Sequence, residues 1–178
     1  MAGRVVLRIA MGAMSLTVLS GCALLPNSLT HREPESTHTM SDLCNFPKQF
    51  LATYFHATVL TEKLVGAPPS SMSRKLTYEN DCDLESPDGE LAASVSMSFS
   101  SVPNQPRSGV ARTWTVDGVS VLQIPLPGTP DYPAKGAYIG MDATIGKWTG
   151  SFGFGSGDEA TLEAAAKMVV SMTRTLKE

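Results

Sequence analysis

The sequence predicts a single α+β domain: a largely antiparallel sheet of about six strands with an N-terminal and a C-terminal helix packed on it. Three observations carry this. Apolar residues recur at helical spacing near both ends of the domain, alternate with small or polar residues in several short runs between, and are punctuated by glycine and proline.

The ordered part is expected from residue 41 onward. Asn45 is placed to cap a helix and Pro47 suits a first turn, while Phe50, Leu51, Tyr54 and Phe55 share a helical face, so a helix should run to about Thr58. Residues 65–73 read as a loop. The next run puts Leu76, Tyr78, Cys82 and Leu84 on one face of a strand and Glu79, Asp81, Asp83 and Glu85 on the other.

Leu91, Ala93, Val95, Met97 and Phe99 then alternate with alanine and serine, a half-buried strand whose outer face is nearly all small. After a loop at 103–108, Asp117 and Gly118 sit between two β-rich runs and predict an antiparallel hairpin over 110–124. Pro125, Pro127, Pro130 and Pro133 should break the chain. Ala137, Ile139, Met141, Ala143 and Ile145 resume the alternation, and a turn at Gly146 and Lys147 leads to a last strand with Trp148, Phe152 and Phe154 on one face.

Ser156 followed by Glu159 has capping-box spacing. Leu162, Ala165, Val169, Met172 and Leu176 give the closing helix its apolar stripe.

Ahead of the domain, Arg4 and Arg8 precede an apolar stretch from Ile9 to Leu19, and Leu19, Ser20, Gly21 and Cys22 follow. Small residues before a cysteine mark a lipidation and cleavage site; this lipobox resemblance implies a signal peptide at 1–21 and a diacylglyceryl thioether on Cys22. The stretch is shorter than the roughly 20 residues a spanning helix needs. Acyl chains on Cys22 would hold the protein on the extracytoplasmic side of the cell membrane without any transmembrane segment.

Residues 22–40 are polar and irregular. They read as a flexible tether that spans about 23 Å as a coil, with His31 and His38 as solvated linker residues. The chain carries a formal charge of −3, which becomes two units more negative once Arg4 and Arg8 leave, and that balance excludes a nucleic-acid footprint.

With Cys22 committed to lipid, Cys44 and Cys82 remain, and an even pair in an exported domain predicts a structural disulfide.

The order DLCNFPKQF, ENDCDLES, WTVDGVSV and EAAAKMVVSMTRTL resembles actinobacterial exported lipoproteins grouped in a domain-of-unknown-function family, over most of residues 42–176. Many of those relatives look to carry a second cysteine pair that this chain lacks. More loosely, the chain is similar to LpqN-type envelope lipoproteins with a Mog1/PsbP-like fold. Either resemblance implies a binding or adaptor protein and brings no catalytic residues with it.

Few constellations point to chemistry. Glu79, Asp81, Asp83 and Glu85 form a row that would suit a cation or a basic partner, or simply a solvated face that discourages edge pairing. As an EF-hand it fails, since Ser86 and Ala92 stand where that loop needs Gly and Glu.

The glycine-rich run at 150–159 opens a helix. It matches no nucleotide motif, and Asp158 and Glu159 would repel a phosphate there. Trp114, Tyr138 and Trp148 with Met97, Met141, Met168 and Met172 would suit either an apolar ligand pocket or ordinary core packing.

His56 is the only histidine expected inside the domain, and no catalytic, metal or cofactor motif accompanies it. The expectation is therefore a non-enzymatic, lipid-anchored envelope protein without a cofactor. It would be attached to the membrane through Cys22 and would bind an envelope protein or a hydrophobic small molecule. The alternatives are an inhibitor or exclusion factor acting on an envelope enzyme or an incoming phage, and, from a different class, a hydrolase assembled from dispersed residues around His56.

Overall fold

The computed structural model describes residues 36–89, 92–100, 108–126, 138–155 and 157–178. The signal peptide, Cys22, the tether up to residue 35, Leu91, residues 103–107, Pro127, Pro130, Pro133, Ala137 and Ser156 lie outside the described residues.

A seven-stranded antiparallel sheet forms the body of the domain. Its strands are β1 (Thr61–Leu64), β2 (Glu79–Glu85), β3 (Ala92–Phe99), β4 (Arg112–Val116), β5 (Val119–Leu126), β6 (Tyr138–Ile145) and β7 (Trp148–Gly155), in the spatial order β1-β2-β3-β7-β6-β5-β4. Helices α1 (Met40–Asn45) and α2 (Lys48–Phe55) precede the sheet, a 3-10 turn at Pro69–Ser73 leads into β2, and α3 (Glu159–Leu176) closes the chain. The expected fold class holds, with β1 as an extra strand.

All three helices cover one face, and register shows why. Cys82 pairs with Val95, Val95 with Phe152 and Phe152 with Met141, so these four side chains project the same way and are fully buried. The ring of Phe50 on α2 meets Phe152 edge-on at 5.3 Å and Phe154 at 5.6 Å, and Met172 and Thr173 of α3 lie against Gly150 two residues along the same strand. The Cys44–Cys82 disulfide joins α1 to β2, as predicted. Among the described residues no helix is long and apolar enough to cross a membrane.

Several expectations are corrected. The packed chain reaches back into the expected tether as far as Ser36, which is buried, and the backbone carbonyl of His38 accepts a hydrogen bond from Leu76 N–H. The N-terminal helix is two helices. Thr39 caps the first in a capping box with Asp42, whose carboxyl lies below its ordinary range chiefly because it accepts from the Thr39 N–H; the Asn45 side chain instead donates to Ser41 Oγ.

Pro47 stands at the N-cap of α2, which ends at His56 in the left-handed region rather than at Thr58. Tyr78 lies outside β2 and is exposed. Pro125 sits within β5 and pairs with Ile139. The cap of α3 is Asp158, whose carboxylate accepts from Thr161 N–H at 2.8 Å.

Candidate functional site

The face of the sheet opposite the helices is uncovered among the described residues, and a trough of about 900 Å³ runs across it. Strand alternation decides what lines it. Residues with even numbers on β2 turn inward, so Glu79, Asp81, Asp83 and Glu85 turn outward, as the sequence predicts.

Register carries this row across four strands. Asp81 pairs with Ser96, Ser96 with Ser151 and Ser151 with Asp142; one step along, Asp83 pairs with Ser94, Ser94 with Gly153 and Gly153 with Gly140. The result is a floor of serine and glycine with Asp81 and Asp83 at one side and Asp142 at the other. Strands about 4.8 Å apart put the Asp81 and Asp142 backbones about 14 Å from each other.

Asp142 is only 6% exposed, and nothing in its own strand marks it as part of an acidic site. Only the strand order, which brings β6 within reach of β2 through β3 and β7, reveals it.

The glycine pair has a local reason. A Cβ on Gly153 would lie 2.8 Å from both the Tyr138 ring and Ser94 Oγ, and one on Gly140 would lie 3.2 Å from Leu126. Bare backbone at these two positions lets Tyr138 and Leu126 lie down on the sheet. The Tyr138 hydroxyl stands 3.3 Å from Ser94 Oγ, and burial, followed by the Asp83 charge, pushes its pKa up.

Electrostatics sets Asp81 apart. Its carboxyl is held above the usual carboxylate range, first by partial removal from water and then by the charges of Glu79 and Asp83, against a hydrogen bond with Ser96 that works the other way. On the outer side of the row, Lys63 bonds Glu85 Oε2 at 2.7 Å.

A folded-state pKa above the unfolded one means that ionisation opposes folding. The stability associated with Asp81 is therefore largest in acid, and is lost as pH rises from near 4 through the raised folded value. Asp81→Asn is accordingly expected to raise the melting temperature at pH 7 and to lose that advantage below pH of about 4. A lower melting temperature at pH 7 would show that Asp81 supports the fold instead.

Backbone positions two residues apart on a strand face stand about 7 Å from each other, which spreads the row instead of gathering it at one point. Among the described residues no three His, Cys, Asp or Glu side chains are grouped to hold a metal.

The other candidates fall elsewhere. Trp114 and Trp148 pack on the helix-covered side, Trp114 with its indole N–H donated to Gln123 Oε1 at 3.0 Å, so they lie on the opposite face of the sheet from Tyr138, whose ring lies against Gly153. Met97, Met141 and Met172 are core, and Met168 packs against it. His56 is exposed at the end of α2. No family model, no curated protein and no solved structure matches the chain.

Proposed function

We propose that the protein is a lipid-anchored, non-enzymatic binding protein of the cell envelope that holds a basic segment of a partner protein in the trough. The uncovered sheet face, with Asp81 and Asp83 facing Asp142 across a floor of small residues, is the observation that carries this reading.

The carboxylates of the trough favour a cationic protein segment over an uncharged hydrophobic molecule, and Val65, Ile124 and Leu126 on its lining give that segment apolar contact as well. In an extended peptide, residues four apart on the same side are about 14 Å from each other, which matches the separation across the floor. The lipid anchor rests on the lipobox at residues 19–22, and the envelope setting on that anchor, on the disulfide and on the resemblance to actinobacterial lipoproteins.

The test uses a synthetic peptide with lysine at every fourth position, titrated calorimetrically into the native protein and into Asp81→Lys/Asp83→Lys. Both positions are on the solvent side of the sheet, so the variant should fold. Affinity is expected to fall at least about tenfold in the variant and steeply with added salt. Equal binding by the two proteins would remove the trough as the site. The anchor is tested separately by the intact mass of protein extracted from its own membrane, which should begin at Cys22 and include acyl chains.

A further inference from the structure

An open sheet has two edges, and this chain treats them differently. At one, β1 reads TEKL, with Glu62 held by Lys48 of α2 and Lys63 by Glu85 of β2. A short strand that carries charges of both signs resists pairing with another chain.

At the other edge β4 reads RTWTV, without lysine, proline or a carboxylate. Its register on β5 decides which backbone groups are free. Val116 pairs with Val119 across the two-residue turn, and hydrogen-bonded positions then alternate back along the strand through Trp114 to Arg112. Thr113 and Thr115 therefore turn their N–H and C=O groups away from β5. Both residues are exposed, and among the described residues no strand lies beyond them. Unpaired backbone of this kind is a template for another strand.

The side chains of β4 suit such a contact. Its one charge is already neutralised: the Arg112 guanidinium donates to both carboxylate oxygens of Glu159, at 2.6 and 2.8 Å, and lies 3.7 Å over the Trp114 ring. Trp114 is half-buried, packed against the core on the helix side, so part of a large aromatic surface is left at the edge. Tryptophan and arginine are the residue types that most often anchor interfaces.

We infer that β4 pairs antiparallel with β4 of a second copy of this chain, about a two-fold axis at Trp114. Self-complementarity commits the edge to this occupant. Centred there, the strand pairs with itself over its whole length, with Arg112 opposite Val116 of the second copy, Thr113 opposite Thr115, and Trp114 opposite Trp114. The threonines form the hydrogen-bonded pairs and the tryptophans the closer pair without hydrogen bonds.

No like charges meet, because the two Arg112 backbones stand about 14 Å apart along the strands. An axis at Thr113 or Thr115 would instead run part of β4 past the end of its copy. Antiparallel strands of one sheet are related by an axis perpendicular to it, so the troughs of the two copies open on the same face. Their Asp142 backbones are about 25 Å apart, across β5 and β4 of each copy.

The test is disulfide trapping of the full-length protein in its own membrane, using Thr113→Cys/Thr115→Cys under mild oxidation. In the inferred register each introduced thiol faces the other position of the second copy with Cα atoms about 5.5 Å apart, within the span of a disulfide. In Thr113→Cys or Thr115→Cys alone, the two thiol-bearing positions are about 8 Å apart, which is too far. The double variant is expected to form covalent dimer in at least about fivefold the yield of either single variant. Equal yields from all three overturn the register and the inference with it. A crosslink to a different protein in place of the dimer means that the edge takes a partner's strand, and overturns the self-pairing.

Native mass spectrometry of the extracted protein without added cysteines gives an independent reading. A dimer is expected, and its fraction should fall at least about tenfold in Thr113→Lys/Thr115→Lys, where like charges meet across the axis. Thr115→Pro should do the same by removing an N–H that β5 does not use. The lysine variant should keep the native melting temperature, since both side chains point to solvent. A dimer that survives both variants forms elsewhere and overturns the inference, as does a native protein that is monomeric throughout.

Discussion

Replacing Cys44 and Cys82 together by alanine is expected to lower the unfolding free energy by about 4 kcal/mol and the melting temperature by about 15 °C. The two cysteines are separated by 38 residues in sequence, and both are fully buried. In the chain-entropy picture, a crosslink over a loop of that length removes much of the freedom of the unfolded chain, and the loss is large against a typical net stability of about 5–15 kcal/mol.

The bond also has a local task. Helix α1 has only six residues, too few to persist without outside support, and its Cys44 lies against Met72 at 3.9 Å over β2. Urea unfolding of the double variant measures the effect. A loss under about 1 kcal/mol would show that Leu43 and Met40 alone seat α1. Since the helices close the face opposite the trough, the folded remainder of the variant population should bind the basic peptide unchanged.

Sequence alternation alone placed most of this architecture. The runs around Val95 and Met97 and around Met141 and Ala143 are strands with the predicted inward faces, and Asp117 with Gly118 makes the hairpin turn with φ of 47° and 76°. What stayed hidden has identifiable causes. Strand β1 reads TEKL, too short and too polar to show a period.

The Thr39–Asp42 box has the spacing of a capping box but with aspartate in place of the usual glutamate, in a stretch whose composition looks like linker. Pro125 sits in a strand because β4 ends before it: Arg112 pairs with Gln123, so the missing N–H of Pro125 falls where β5 has no neighbour on that side. Half of the candidate site was legible for the same reason as β3, a two-residue period. The other half, Asp142, depends on β7 inserting between β3 and β6, and no local pattern encodes that.

Gly150→Val is expected to cost about 3 kcal/mol, the upper part of the range for overpacking, with α3 displaced from the sheet. A Cβ at this position would lie 2.1 Å from Thr173 Oγ1 and 3.0 Å from the Met172 methyl. Thr173 has no room to retreat, because it is fully buried and its hydroxyl donates to Val169 O at 2.7 Å within the helix.

The glycine-rich run at 150–159 thus has a packing explanation on one face and a site explanation on the other. Gly150 lets α3 rest on bare β7 backbone, while Gly153 lets Tyr138 lie across the trough. Gly155, where a Cβ would meet nothing within 4 Å, supplies the internal control. Melting temperatures of Gly150→Val, Gly153→Ala and Gly155→Ala should therefore fall steeply, slightly and not at all, and of the three only Gly153→Ala should alter peptide binding in the trough. Equal melting of the Gly150 and Gly155 variants would mean that α3 does not sit on β7 as described, and the division of labour between the two faces of that strand would fall with it.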